Sequence, residues 1–279
     1  MIDANQYPTG LTIAGSDSGG GAGMQADIKT MQACKTYSAV VVAGLTAQNT
    51  LGVQGAYPTD LAVIDQQFAS VMADFDVRAA KTGALFDEAR VLQVAKNIRH
   101  YQQKNLVVDP VMVAKGGASL LDSAGIAALK NHLLPLATLL TPNLPEAELL
   151  ADMKISTRDD MVTAGQKIQA LGVPNVIVKG GHGEGAVIYD YVLLENEVGF
   201  WLEGQKVETS SKHGTGDTLS AAITSFLAQG DSLRKAIEKG HRYMNAIIGQ
   251  PLVIGHGHGP LNHGQWSDPA DEGGKDYEF

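Results

Sequence analysis

Short apolar runs alternate along this chain with helical patterns, and each run ends in a polar or glycine-bearing motif. The runs cover 11–14, 40–43, 77–82, 106–108, 139–141 and 175–178, and each reads as a buried strand. Helical spacing lies between them. Met24, Ile28 and Met31 recur within 23–35, and Leu61, Ile64, Phe68, Val71 and Met72 follow a Pro58-Thr-Asp60 start. Val91, Leu92, Val94, Ala95 and Ile98 form an inward face within 87–101. Further helices are expected over 123–133, after an opening Thr141-Pro-Asn-Leu-Pro-Glu146, over 157–170 and over 233–248, and 187–193 with 198–202 read as an antiparallel edge hairpin. Strands and helices alternating in this way make an α/β protein, and no repeat or linker divides it. The valine-rich run 40–43 is expected to be a central strand.

The stretch 213–227 concentrates the chemistry. It begins His213-Gly-Thr-Gly-Asp217 and continues with Leu219, Ala222, Ile223, Phe226 and Leu227 on one helical stripe. Gly214 and Gly216 let backbone amides close around an anion, and a helix start adds unpaired N–H groups and the positive end of its dipole. Asp217, on the first turn, is placed to orient or deprotonate a nucleophile attacking a phosphate. The plainer reading makes it a cap or a charge at a helix start, where Asp is favoured anyway.

The other strand exits carry their own candidates. After 11–14 comes Gly15-Ser-Asp-Ser-Gly-Gly-Gly-Ala-Gly23, a loop that allows a ligand to approach the backbone or simply turns the chain. Gly21 to Ala26 fits a loose dinucleotide fingerprint, but no Asp or Glu lies between Asp27 and Asp60 to hold a ribose, and no Walker A pattern occurs. Gln48 and Asn49, beyond 40–43, either read the edges of a heterocycle or satisfy loop backbone. Asp109 and Glu146 are oxygen ligands suited to Mg²⁺, or else a turn carboxylate and a helix-start charge. Lys179 leaves a buried strand into two glycines and can reach phosphate, unless it is only a solvated charge. His256 and His258 sit between glycines without partners for a zinc site, and read as a flexible turn near the active face.

Composition excludes some functions. A net charge of −9 without a basic cluster disfavours nucleic acid and anionic membrane as partners. No apolar stretch approaches the ~20 residues that span a bilayer. Cys34 is the only cysteine and no signal peptide opens the chain, so a cytoplasmic protein is expected. The acidic segment 266–279 is expected to be a disordered tail after a single domain over 1–265.

Taken in order, these motifs resemble the ribokinase-like superfamily, most closely its hydroxymethylpyrimidine/phosphomethylpyrimidine kinase branch, over about 11–263. The carriers are the glycine segment 13–27, Ala47-Gln-Asn-Thr50, Lys81-Thr-Gly83, Val108-Asp-Pro-Val-Met112, Thr141-Pro-Asn-Leu-Pro-Glu-Ala147, Lys179-Gly-Gly-His182 and His213-Gly-Thr-Gly216. The resemblance implies one α/β domain with a mostly parallel sheet flanked by helices, ATP and Mg²⁺ as cofactors, and phosphorylation of a CH₂OH group on a small molecule. It implies that Gln48 bonds an aminopyrimidine, with Gly15, Ala22, Asp27, Ala84 and Val111 shaping or supporting that pocket. Lys179, Gly214 and Gly216 would hold ATP phosphate, Asp109 and Glu146 would organise Mg²⁺, and Gly214, Thr215, Gly216 and Asp217 would form the catalytic turn. A homodimer fits the family. Two departures stand out: the branch commonly has Cys where this chain has Asp217, and Met where it has Ala84. The wider superfamily uses Asp as base, whereas Ala84 leaves room for pyridoxal-like alcohols. The rivals are therefore a pyridoxal or dual-substrate kinase, a nucleotide-dependent dehydratase of the same fold, and a nucleotide-binding regulator without turnover.

Overall fold

The computed structural model describes residues 7–113, 121–180, 186–209, 211–250 and 252–266. Its centre is a nine-stranded sheet among the described residues. The strands are β1 (Thr9–Asp17), β2 (Tyr37–Asn49), β3 (Gly52–Pro58), β4 (Val77–Thr82), β5 (Leu106–Val108), β6 (Leu139–Leu140), β7 (Val176–Val178), β8 (Val187–Leu193) and β9 (Phe200–Gln205). Their order across the sheet is β3-β2-β1-β4-β5-β6-β7-β8-β9. Pairings from β2 through β7 are parallel, while β3, β8 and β9 are antiparallel additions at the two edges.

The period-2 alternation of strands sorts their side chains into two cores. Ala80, Leu106, Val108, Leu140, Val176 and Val178 face one core, and Ala79, Val107, Leu139 and Ile177 face the other. The first is closed by α2 (Leu61–Asp74), α3 (Glu88–His100), α4 (Ser123–Ala128), α5 (Leu144–Ala151) and α6 (Arg158–Gln169). The second is closed by α7 (Thr215–Ala228) and α8 (Leu233–Ile248), with α1 (Gly23–Ala33) packed beside α7. Burial on both faces is why these strands read as continuous apolar runs. Among the described residues no helix is long and apolar enough to cross a membrane.

Several expectations need correcting. Strand β2 lies second from an edge, and 44–49 is not a loop: it continues β2 and pairs with β3, forming a hairpin whose polar residues are half exposed. Leu92 points partly to solvent, and Asn97 faces inward instead, bonded to Asp65 and the Gln93 carbonyl. The helix expected over 123–133 widens after Ala128 into a π-helical turn and then tightens into a 3₁₀ turn. Helix α7 is buried all round from Thr218 to Ala228, rather than along one stripe. Its hydroxyls tolerate this because Ser220, Thr224 and Ser225 donate to carbonyls one turn back, at 3.1, 2.8 and 2.8 Å. Trp266 packs edge-on against Tyr243, and the rest of the expected tail, like Gly181 and His182, lies outside the described residues.

Candidate active site

In the sheet, β2 and β4 flank β1 on opposite sides, so a crevice opens where the chain leaves the carboxyl ends of β1 and β4. A cavity of about 900 Å³ occupies it and runs across the strand ends to the β8–β9 hairpin and α8. Gly15, Ala22, Gln48, Ala84 and Val111 line one end. Asp109, Glu146, Lys179 and the turn from Gly214 to Asp217 line the middle.

The turn into α7 depends on glycine at two positions. Gly214 has φ +83°, and a Cβ there would run into the Gly21 carbonyl, so the two glycine segments meet backbone to backbone. At Gly216 a Cβ would lie 3.0 Å from Asp109 Oδ2 and 3.3 Å from the Lys179 ammonium. Its absence leaves the helix start open toward that pair. No side chain caps the first amides of α7. Asp217 does not do so: the Gly23 amide donates to its Oδ2 at 3.1 Å, and Lys81 Nζ lies 3.4 Å from its Oδ1. Asp217 is therefore no cap, although it remains an acid in the first turn of α7, where it favours the helix start by its charge.

Lys81 is wholly buried below this turn, and its ammonium donates to Asp27 Oδ1 at 2.7 Å. Thr12 donates to the other Asp27 oxygen at 2.5 Å. Burial pushes the Asp27 carboxyl up to about 7, even with Lys81 pulling it down. Lys81 is drawn down by burial, but the charges of Asp27, Asp217 and Asp109 outweigh this and hold it above its ordinary value. Asp27 does not line the cavity; it supports the site from underneath, as the counter-charge of Lys81.

In the middle of the cavity the Lys179 ammonium lies 3.3 Å from Asp109 Oδ1, so it is paired rather than solvated. Glu146 closes a capping box on α5. It receives the Asn143 amide at 2.9 Å and donates its own amide to Asn143 Oδ1 at 3.0 Å. Burial and the charge of Asp109 push its carboxyl up to about 7, with Lys179 pulling the other way. Two buried carboxylates, Asp109 and Glu146, thus share the cavity wall with the Lys179 ammonium. Among the described residues no group of three or more His, Cys, Asp or Glu could form a metal cage. This donor set fits Mg²⁺, which commonly takes one or two carboxylates and fills its remaining positions with water and phosphate oxygens. His256 and Gly257 instead use their amides on Thr50, in an exposed turn.

At the β1 end the structure brings in residues that spacing does not single out. Asp17 accepts from the amides of Gly19, Gly21 and Ala22 at 2.8, 2.9 and 2.9 Å, and His213 Nε2 lies 3.0 Å from its Oδ2. Burial would raise the Asp17 carboxyl, but bonds from His213, Gln48 and the loop amides outweigh it and hold it at about 2. Gln48 Nε2 reaches His213 at 3.2 Å, so the expected reader is anchored to this cluster. Asn49 is not part of it; its side chain accepts from the Leu51 amide and satisfies the hairpin turn. Phe86 covers Gly15 and Gly44, at both of which a Cβ would strike its ring. Asp17 sits in an Asp-Ser-Gly turn and Lys81 ends an apolar run, as Lys179 does, so the cues were present without a partner to interpret them. At the far end Ile188, Val207, Met244 and Ile248 make an apolar wall, with Asp190 and His241 beside it.

A family model described as phosphomethylpyrimidine kinase matches residues 17–262. The hydroxymethylpyrimidine/phosphomethylpyrimidine kinase of Bacillus subtilis is 42% identical over 253 residues, 91% of this chain and 93% of its own. The thiamine biosynthesis bifunctional protein ThiED of Geobacter sulfurreducens is 43% identical over 259 residues, and there the match spans 92% of this chain and 53% of the longer protein. Among solved structures, the ADP complex of Bacillus subtilis pyridoxal kinase superposes with a TM-score of 0.87 at 37% identity, covering 93% of this chain and 98% of that one.

Proposed function

The chain belongs to the phosphomethylpyrimidine kinase family and is a kinase, and on that premise we propose that it phosphorylates the hydroxymethyl group of 4-amino-5-hydroxymethyl-2-methylpyrimidine from ATP, and then the resulting monophosphate, in thiamine biosynthesis. The observation that carries this reading is Asp217. Its carboxylate stands at the mouth of an uncapped helix start, beside the Lys179–Asp109 pair and facing a cavity with a polar end and an apolar end.

In this reading the pyrimidine ring lies at the Gln48 end under Phe86, and the nucleotide base lies against Ile188, Val207, Met244 and Ile248. The substrate hydroxyl then sits between Asp217 and the γ-phosphate. Asp217 takes the hydroxyl proton as the oxygen attacks. Phosphoryl transfer spreads negative charge over three equatorial oxygens, so catalysis depends on positioning and electrostatics. The amides of Gly214, Thr215 and Gly216 stabilise that charge, and Lys179 adds a fixed positive one. Asp109 and Glu146 would hold Mg²⁺, which supplies charge neutralisation on the phosphates when bound. The protein would act as a cytoplasmic homodimer.

The pyridoxal kinase match and the small Ala84 favour one second reading, turnover of pyridoxal in the same pocket. The base assignment is tested by Asp217→Asn. Loss of a general base lowers kcat by about 10²–10⁴-fold, with KM for ATP little changed. A variant with kcat within about threefold of the parent contradicts it.

A further inference from the structure

Beneath the base lies a cation that the chemistry described above leaves unused. Lysine is almost never fully buried unless paired, and Lys81 has no solvent exposure at all. Asp27, equally buried at 2.7 Å, would be enough to neutralise it. Yet an ammonium has three donors, and a second carboxylate, that of Asp217, reaches it from the cavity wall at 3.4 Å.

We propose that Lys81, anchored by Asp27 and Thr12, is the positioning residue for the Asp217 base: it aims the carboxylate at the substrate hydroxyl and supplies the counter-charge against which that carboxylate works. The inference rests on the reading of Asp217 as base. In the step concerned, the hydroxyl oxygen bonds to the γ-phosphorus and the bond from phosphorus to the bridging oxygen of ADP breaks. The hydroxyl proton passes to Asp217. Lys81 neither gives nor takes a proton.

The charges around Asp217 come from every side. Lys81 stands at the end of β4, Asp27 on α1, Asp109 at the exit of β5 and Lys179 at the exit of β7. His263 faces it from the C-terminal segment, with Lys29 of α1 beyond. The Lys81 ammonium thus spans two carboxylates, Asp27 below it at 2.7 Å and Asp217 on the cavity wall at 3.4 Å. Lys81 therefore does more than satisfy a buried acid.

The test compares the parent, Lys81→Met and the double variant Asp27→Asn/Lys81→Met, with folding followed by thermal melts. For each, kcat on hydroxymethylpyrimidine is measured from pH 5 to pH 9. The double variant removes both buried charges, so a purely structural role for Lys81 predicts that it regains the parent kcat and the parent acid limb. A positioning role predicts kcat at pH 7 down about 100-fold in both variants. The acid limb should move up by about one pH unit or more, and KM for ATP should hold within about threefold. Restoration in the double variant overturns the proposal. Should neither variant fold, the Lys81 ammonium resonance is compared between the parent and Asp217→Asn. A shifted ¹⁵N signal supports the contact, and an unchanged one overturns it. An active Asp217→Asn would instead remove the base reading itself, which separates the two failures.

Discussion

Asp217 has one oxygen on the Gly23 amide and the other toward Lys81, so a single carboxylate ties together the start of α1, the end of β4 and the start of α7. Its proposed task differs between the two phosphorylations. An alcohol must lose a proton to attack, whereas a phosphate monoester is already largely ionised at neutral pH, with a second pKa of about 6. Asp217→Asn should therefore slow phosphorylation of the alcohol by about 100-fold or more while slowing that of the monophosphate by less than about tenfold. Single-turnover assays on each substrate check this, and equal losses contradict it. Gly214, Gly216 and Asp217 were legible in the sequence because glycine, acid and helix start stand within four residues. Asp17, His213 and Lys81 were not, because their partners are distant: His213 meets Asp17 across 196 positions, and Lys81 meets Asp217 across 136. Local spacing carries no trace of such pairs.

The elements that present these residues differ in how openly the sequence declares them. Strands buried on both faces, such as β5 and β7, are apolar throughout and were read nearly to the residue. The β2–β3 hairpin was missed because it projects from the sheet edge and its polar side chains resemble a loop. Helix α7 was found but misjudged, since small hydroxyl residues count as polar until their bonds to the preceding turn are seen. Helix α5 shows a cap and a site sharing one residue: Glu146 closes the capping box and also faces the cavity. Asn143→Ala removes the reciprocal bond, and loss of such a cap costs about 1 kcal/mol. Urea unfolding at neutral pH should show that loss, and an unchanged midpoint would mean that the box contributes nothing.

Across the whole molecule, three carboxyls set opposing trends of stability with pH. Asp17, held at about 2 in the fold, contributes stability that is present above the ordinary carboxylate value of 3.8 and lost as pH falls through 2. Asp27 and Glu146, raised to about 7, act in the other direction. Their contribution is complete below their ordinary values and is lost as pH rises through 7. Thermal stability of the unliganded protein should therefore peak near pH 4 and fall between about pH 4 and pH 7. Glu146→Gln, permanently neutral, should flatten the alkaline side by an amount on the order of 2 kcal/mol. Melts across this range that rise steadily to pH 8 would contradict the assignment.

The alternation of strands and helices made the layered architecture readable, and the cavity follows from where β1 and β4 part. In the proposed reading, what distinguishes a pyrimidine from a pyridine alcohol is the fit around the substrate of Gln48 on β2 and of Ala84 and Phe86 beyond the end of β4, residues far apart in sequence. The decisive measurement is a product-resolved assay with Mg-ATP. Hydroxymethylpyrimidine, its monophosphate and pyridoxal are each supplied singly, and products are identified by mass. Conversion of the pyrimidine alcohol to the monophosphate and on to the pyrophosphate is the expected result. Turnover of pyridoxal with no pyrimidine product, or no phosphorylated product from any of the three, would contradict it.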